Sequence, residues 1–420
     1  MVSSNRIRFL INRFRDRLWV RPLGVCLLSI AAAFVAKFAD GTRLGEFVPD
    51  VTSESIEALL SIMAASMLVI ATFSVGSMVS AYAAASSTAT PRAFTLVVAD
   101  DASQNALSAF VGAFIFSVVA LTAVKNEYFG TAGLFILFVL TAFVFALIIV
   151  MFLRWVDGIA RLGRLGSTME KVEKATGEAL QRRRRAPTLG ASPARNPPPE
   201  EGAVFAKTVG YVQQVDVAAL QAWAEEVEGR VVVAALPGTF ATPDRPLAHV
   251  SARQEDSSAL DCTAVVDAFQ IGTQRRFDDD PRFGLIVLSE ITGRALSASV
   301  NDPGTAIEVV GRLVRLLHLW SEPEADPAEG PPEFDRVEVP ELSLRDMLDD
   351  AFTAIARDGA GQVEVSVRLQ KALGSLASKG DERMREAARY HSELALERAS
   401  DALGRPEDLM AVRDASSFNA

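Results

Sequence analysis

The polar residues best placed for chemistry lie between positions 275 and 302: Arg275, Arg276, Asp278, Asp279, Asp280, Arg294, Asn301 and Asp302. Their flanks, Phe277–Gly284 and Ser299–Gly304, read as loop and helix-start segments. Arginines beside free amides at a helix N-terminus make an anion site. The same residue types cap helices and pair at subunit interfaces, and the sequence leaves both readings open. The run Asp278–Asp280 offers oxygen ligands to a hard cation. EF-hand spacing is absent, however, and consecutive acids ordinarily form the solvated start of a helix, so no metal is expected.

A second set is made of hydroxyls. Ser74, Ser77 and Ser80 follow one another at three-residue spacing within a long apolar run. On a helix, Ser74 shares a face with Ser77, and Ser77 with Ser80. Such residues either let membrane helices approach closely or line a water-filled path, which makes these three the pore-lining candidates.

Signatures of catalysis are missing. No Gly-rich phosphate loop, G-x-S-x-G elbow or H-E-x-x-H pair occurs. His249, His318 and His391 stand far apart beside apolar residues. The expectation is a protein that is not an enzyme and carries no cofactor.

The elements that must hold these residues begin with four apolar runs, near Trp19–Phe38, Ala58–Tyr82, Ala106–Val124 and Gly130–Leu153. Each has about the ~20 residues that cross a ~30 Å bilayer core. Basic residues flank the first run (Arg6, Arg8, Arg13, Arg15, Arg17, Arg21) and follow the fourth (Arg154, Arg161, Arg164, Lys171, Lys174, Arg182–Arg185). Asp40, Glu46, Asp50 and Glu54 lie between the first two runs against a lone Arg43. Lys and Arg mark the cytoplasmic side, so both termini are expected there. Trp19 and Trp155 fit an inner interfacial belt, and Tyr128 with Phe129 an outer one. A cleaved signal peptide is the competing account of the first run, but no clean small-x-small site follows it. No run carries a central ionisable residue, which weighs against a proton relay and leaves a passive channel open.

Charge divides the chain in the same way. Residues 1–185 hold 19 basic and 13 acidic residues, a surplus of six, so the net −10 leaves −16 for the rest. A basic membrane half suits anionic headgroups, and an acidic remainder excludes a nucleic-acid footprint. Cys26 and Cys262 alone support neither a disulfide framework nor a zinc site.

The fold class expected is a mainly α membrane protein: four transmembrane helices, then a mixed α+β cytoplasmic domain with a small β-rich module followed by helices. The boundaries are 1–155 for the membrane domain and 156–202 for a basic helix with a Pro-rich linker. The β-rich module takes 203–255, a helical domain 256–405, and a flexible tail 406–420. The basic helix either lies on anionic lipid or ends in a flexible solvated tip at Arg182–Arg185. Within the module, strands are expected at Gly210–Val215, Gly229–Ala234 and up to Val250, with a helix at Val217–Glu226. Its Pro237-Gly238 turn resembles the half-barrel of biotinyl carriers, without the carrier lysine. Asn301 or Asp302 caps a helix that has Pro303 in its first turn. Further helices are expected near Leu342–Ala356, Gly361–Leu376 and Asp381–Leu403.

Three segments resemble the family called domain of unknown function 2254, predicted bacterial membrane proteins. They are Ser66–Leu121, Ile271–Leu313 and Phe334–Phe352. The chain keeps Ser86, Ser87, Pro91 and Arg92 of the family's pattern but has Ala298-Ser299-Val300 before Asn301. The resemblance implies four crossings and a cytoplasmic domain, and no established activity; the location expected is the plasma (inner) membrane. Two functions are expected to compete. One is an oligomeric passive conduit for a small ion, lined by the second helix, with an acidic vestibule. The other is a membrane-anchored regulatory or scaffolding protein whose cytoplasmic domain binds a partner or small anion. The lipid bilayer and further copies of the chain are the expected partners.

Overall fold

The computed structural model describes residues 20–41, 48–88, 90–98, 101–161, 164–194, 202–252, 261–322, 331–416 and 418. Arg6, Arg8, Arg13, Arg15, Arg17, Trp19, Arg43, Glu46 and residues 195–201 and 323–330 lie outside them. The chain divides into two compact units, one within Ile7–Thr168 and one within Met169–Ala420.

In the first unit, α1 (Val20–Phe38) is followed by α2 (Ser53–Thr88), the short α3 (Phe94–Val98), α4 (Asp101–Lys125) and α5 (Thr131–Arg161). Three of these, α2, α4 and α5, are long and apolar enough to cross a membrane. The apolar stretch of α1, Pro22–Phe38, is shorter. Heptad spacing explains the packing. Ile56, Leu60, Met63, Met67, Ala71, Ser74 and Met78 form one buried seam on α2, and Ala106, Phe110, Ala113, Ser117, Ala120 and Val124 form its counterpart on α4. Two apolar clusters fill the bundle. One joins Ala36, Ile56, Val124 and Leu137; the other joins Met67, Ala106, Ile148 and Trp155. The ends brought together in each cluster mean that consecutive long helices alternate in direction.

Trp155 is 3% exposed, with its ring about 6 Å from those of Phe73, Phe110 and Phe152. It lies seven residues beyond Ile148 on the packed seam of α5, so its ring is packed inside the bundle.

The second unit takes most of α6 (Leu165–Arg185), then β1 (Ala191–Pro193), β2 (Ala203–Phe205), β3 (Gly210–Val215), α7 (Val217–Glu226), β4 (Arg230–Val233), β5 (Phe240–Ala241) and β6 (Pro246–Ser251). After α8 (Thr263–Asp267) and β7 (Phe269–Gly272) come α9 (Pro281–Ala295), α10 (Pro303–Ser321), β8 (Phe334–Val339), α11 (Leu344–Asp358), α12 (Val363–Lys379), α13 (Glu382–Ala402) and α14 (Pro406–Asp414). One sheet has the order β1-β8-β4-β6-β2, and a second has β5-β3-β7. The pairs β1–β8 and β8–β4 are parallel, and the others antiparallel. Helix α7 closes over β8 and β4 with Leu220, Trp223 and Ala224. Gln221 fastens it by donating to Asp335 Oδ1 (2.9 Å) and accepting from the Arg336 amide (3.0 Å).

The structure departs from three expectations here. The β-rich module expected at 203–255 shares its two sheets with β1, β7 and β8 from outside that segment. Segment 256–405 is not wholly helical, since β7 and β8 lie within it. The tail contains a helix, α14, with Val412 fully buried and Ser416 beside Ser392 at 3.3 Å.

Candidate functional site

In the membrane unit the three serines face different ways. Ser74 is 0% exposed, and its hydroxyl donates to the Ile70 carbonyl at 2.8 Å. It belongs to the buried seam of α2, between Ala71 and Met78. Each three-residue step turns the side chain by about 60° away from that seam. Ser77 is accordingly half-buried and Ser80 exposed. The opposite face of α2 carries exposed small residues at helical spacing, Ala58, Ser61, Ala65, Thr72, Gly76 and Ala83, interleaved with exposed Leu68, Val69 and Val79. Nothing lies within 4 Å of a Cβ placed on Gly76. Small residues such as Ser61, Ala65 and Gly76 are visible along this run in the sequence, but the three-residue spacing of the serines does not point to the face they share. The heptad of Ile56 to Met78 was the signal that places them.

In the second unit the polar cluster divides in two. Helix α9 has 15 residues, which at ~1.5 Å per residue separates its ends by roughly 20 Å. Arg275 stands at its start; Arg294, Asn301 and Asp302 stand at its end. These residues do not form one anion site.

At the start, Asp280 is 3% exposed and caps α9 by accepting from the Phe283 amide at 3.2 Å. Arg275 grips it with a fork, Nε to Oδ2 at 2.7 Å and Nη2 to Oδ1 at 3.0 Å. The guanidinium also lies over the Phe283 ring, 5.4 Å from its centroid. Gly238 seals the pair from the strand side. At φ +94° it brings its backbone so close that a side chain would strike the Asp280 carboxylate and Arg275. One residue along α9 from Pro281, Arg282 binds Asp350 (2.6 Å) and Asp346 (2.9 Å), which ties α9 to α11. Arg276 is half-buried.

The other end does capping work. Asp302 accepts from the Thr305 amide (3.0 Å) and hydroxyl (2.6 Å) at the head of α10. Those bonds come first in holding the Asp302 carboxyl below its usual value. Asn301 takes φ +50°, which Asn tolerates well, and accepts from Gln362 Nε2 at 2.8 Å. Arg294 is exposed.

The block Arg182–Arg185 is not a flexible solvated tip. Arg182 donates to the Asp278 carbonyl, Arg183 to that of Pro340 (3.2 Å) and Arg184 to that of Leu319. Arg183 is 4% exposed. Burial pushes its pKa down to about 10, against the pull of Asp279 and Glu341. The four basic side chains end α6 where the helix dipole favours them, and three of them, Arg182, Arg183 and Arg184, each give a donor to a backbone carbonyl. On the same helix Glu173 receives Arg315 at 2.7 Å and also binds Arg312, locking α6 to α10.

A cavity of about 580 Å³ opens elsewhere in this unit. Trp320, Arg345, Arg383 and Tyr390 are among its walls, and Ser343 and Asp381 cap the helices α11 and α13 that enter it. Arg345 stacks over Tyr390 at 4.0 Å, and Arg383 pairs with Glu341 at 3.4 Å. Among the described residues, no three His, Cys, Asp or Glu side chains are grouped to hold a metal ion.

A family model described as "Predicted membrane protein (DUF2254)" matches residues 15–375. A protein of Mycobacterium tuberculosis (strain CDC 1551 / Oshkosh), described as uncharacterized, is 25% identical over 325 residues. The matched part is 74% of this chain and 61% of that relative, so the chain spans less than two thirds of the relative's length. No solved structure matches.

Proposed function

The chain belongs to the domain of unknown function 2254 family of predicted membrane proteins, and from that premise we propose an oligomeric, passive conduit for small ions in the plasma (inner) membrane. Four crossings, α1 included, put both termini and the acidic second unit in the cytoplasm. The arrangement of Lys and Arg around the apolar runs supports that orientation. The observation that carries the conduit is the exposed face of α2. Inside each bundle the packing is mainly apolar, and the buried hydroxyls of Ser74, Ser108, Ser117 and Thr141 are tied to carbonyls of their own helices, so the path is assigned to the space between copies. Thr72, Gly76 and Ser80 offer hydroxyls and open backbone at the outer surface, with Ser77 at its margin. Symmetric association through α2 encloses a path lined by these residues. Ser74 contributes packing alone. No catalytic residue or cofactor is assigned.

Cross-linking tests the assembly. With Cys26 and Cys262 replaced by serine, a cysteine at Ala65 or Gly76 forms chain-to-chain disulfides in membranes, and one at Met67 does not. Equal cross-linking at all three positions, or none, contradicts association through this face.

A second reading has its own support. The cavity beside Trp320 and Tyr390 combines aromatic walls with two arginines, which suits a small anionic or zwitterionic ligand. A membrane-anchored regulatory protein would use it to bind a partner or small anion. Ligand-induced stabilisation that is lost in Arg345→Gln, without any ion flux in the wild type, favours this reading over the conduit.

A further inference from the structure

We propose that the membrane unit holds one acyl chain of an anionic phospholipid in a groove between α1 and α5, with Arg154 engaging the headgroup phosphate. The groove has a volume of about 710 Å³. Helix α4 is its floor, from Asn105 to Phe116, and its walls run from Val20 to Ala32 on α1 and from Leu140 to Met151 on α5. The lining of each helix covers 11 or 12 residue steps, about 17 Å at ~1.5 Å each. That length matches a single leaflet, half of a ~30 Å hydrocarbon core. All three stretches are in register, since Val20, Asn105 and Met151 stand at the same end. With the apolar run Gly130–Leu153 taken as the crossing of α5, the groove runs from one interface to near the midplane, the course of one lipid tail.

Its lining explains why it stays open. The α1–α4 contact is tight, because a side chain on Gly112 would strike Val25. Nothing comes within 4 Å of a Cβ on Gly24, on the groove side of α1. Gly24, Ala32, Ala109 and Ala113 leave a channel that α5 does not close. The wall is mostly apolar, as a tail requires, and the surrounding medium supplies lipid at the highest concentration of any partner.

The open end identifies the headgroup. Arg154 follows Met151 by three residues, so it prolongs the row that α5 presents to the groove. It is exposed and makes no hydrogen bond or ion pair among the described residues. A guanidinium there meets a phosphate with forked hydrogen bonds and favours a lipid of net negative charge.

The inference rests on α1 lying in the bilayer beside α4 and α5, which is the four-crossing part of the reading above. It needs no conduit. Full-length protein in neutral detergent, titrated with phosphatidylglycerol or phosphatidylcholine of identical tails, is observed by native mass spectrometry. One phosphatidylglycerol per chain should survive activation that strips annular lipid, with phosphatidylcholine about fivefold weaker. Gly24→Phe fills the groove and should abolish retention. Ala109→Leu, from the floor, provides the same reading if the first variant folds poorly by circular dichroism. Arg154→Gln should retain a tail but lose the preference between headgroups. Retention unchanged in folded Gly24→Phe and Ala109→Leu overturns the proposal, as does equal retention of both lipids by the wild type. A second copy of the chain bound in place of lipid overturns it too. Cys26 on α1 separates the two failures. If a membrane-impermeant maleimide labels it in intact vesicles, the four-crossing premise is wrong; if it is protected and no lipid is retained, the lipid proposal alone falls.

Discussion

Arg275 and Asp280 bind each other through two hydrogen bonds, of 2.7 and 3.0 Å, at the head of α9, where the carboxylate is almost fully enclosed. Removing one partner leaves the other charge buried and unmatched. Arg275→Gln should therefore destabilise the second unit by about 3–5 kcal/mol. The double variant Arg275→Gln/Asp280→Asn should be more stable than Arg275→Gln alone, because the orphaned charge is gone while the side chain can still cap Phe283. Thermal unfolding of the three proteins checks the order. A double variant less stable than Arg275→Gln would mean that the pair's energy is not electrostatic.

Thr176 on α6 fills the space that a side chain on Gly284 of α9 would need. Its own hydroxyl is held by the Val172 carbonyl at 2.6 Å, so it has little freedom to turn away. Gly284→Ala should cost about 1–3 kcal/mol by forcing the helices apart. Adding Thr176→Ala should recover part of that loss in the same melting experiment. A neutral Gly284→Ala would show that α6 and α9 are not in close contact.

These contacts mark what the sequence could show. The cap at Asp302, Pro303 in the first turn, and the bounds of β3 and α7 are legible because each depends on neighbours within a few residues. Strand β8 is not, because Val337 and Val339 acquire a strand's environment only from β1 and β4, more than a hundred residues upstream. The arginines at 182–185 look like a solvated end until the carbonyls of Asp278, Leu319 and Pro340 are brought to them. Asp278–Asp280 look alike in the sequence, yet only Asp280 is enclosed with Arg275, and Gly238 completes that enclosure from the turn between β4 and β5. Residues 275–302 look like one cluster because a sequence does not display the length of α9. The serines of α2 mislead in the reverse sense. Their shared spacing suggests a common face, but the larger seam of Ile56 to Met78 takes Ser74 inward.

Asp40 joins the end of α1 to the start of α5. It accepts from the Gly130 amide at 2.8 Å and the Gly133 amide at 2.6 Å, with Lys37 at 3.2 Å. Burial alone would raise its pKa, but the two amides and Lys37 outweigh it, and the value is lowered from 3.8. A lowered folded value means stability that is present above pH 3.8 and lost as pH falls through the folded pKa. Asp40→Asn should cost about 1 kcal/mol at neutral pH. Its stability should also vary less with pH below 4 than that of the wild type. Parallel acid titrations of the two would contradict the clasp.

His391 offers a test nearer neutrality. It is buried under α11, with Nε2 3.3 Å from Asp349 Oδ1 but without hydrogen-bond geometry. Burial lowers its pKa from 6.5; Asp349 opposes this, and Arg345 and Arg398 add to it. The neutral ring is thus the folded form. Its contribution is present above pH 6.5 and lost as pH falls through the folded value. The wild type should melt earlier as pH drops below 6.5, and His391→Gln should show a flatter dependence. Equal slopes would place the titration elsewhere.

The most direct test of the conduit is ion flux through purified protein in sealed liposomes, with Ser77→Trp, Ser80→Trp and Ser74→Ala beside the wild type. The account predicts potassium, sodium or chloride flux above that of empty vesicles. Both tryptophan variants should abolish it, and Ser74→Ala should leave it unchanged, because Ser74 packs inside the bundle. No flux from the wild type, or flux that survives both tryptophans, would contradict a path along α2.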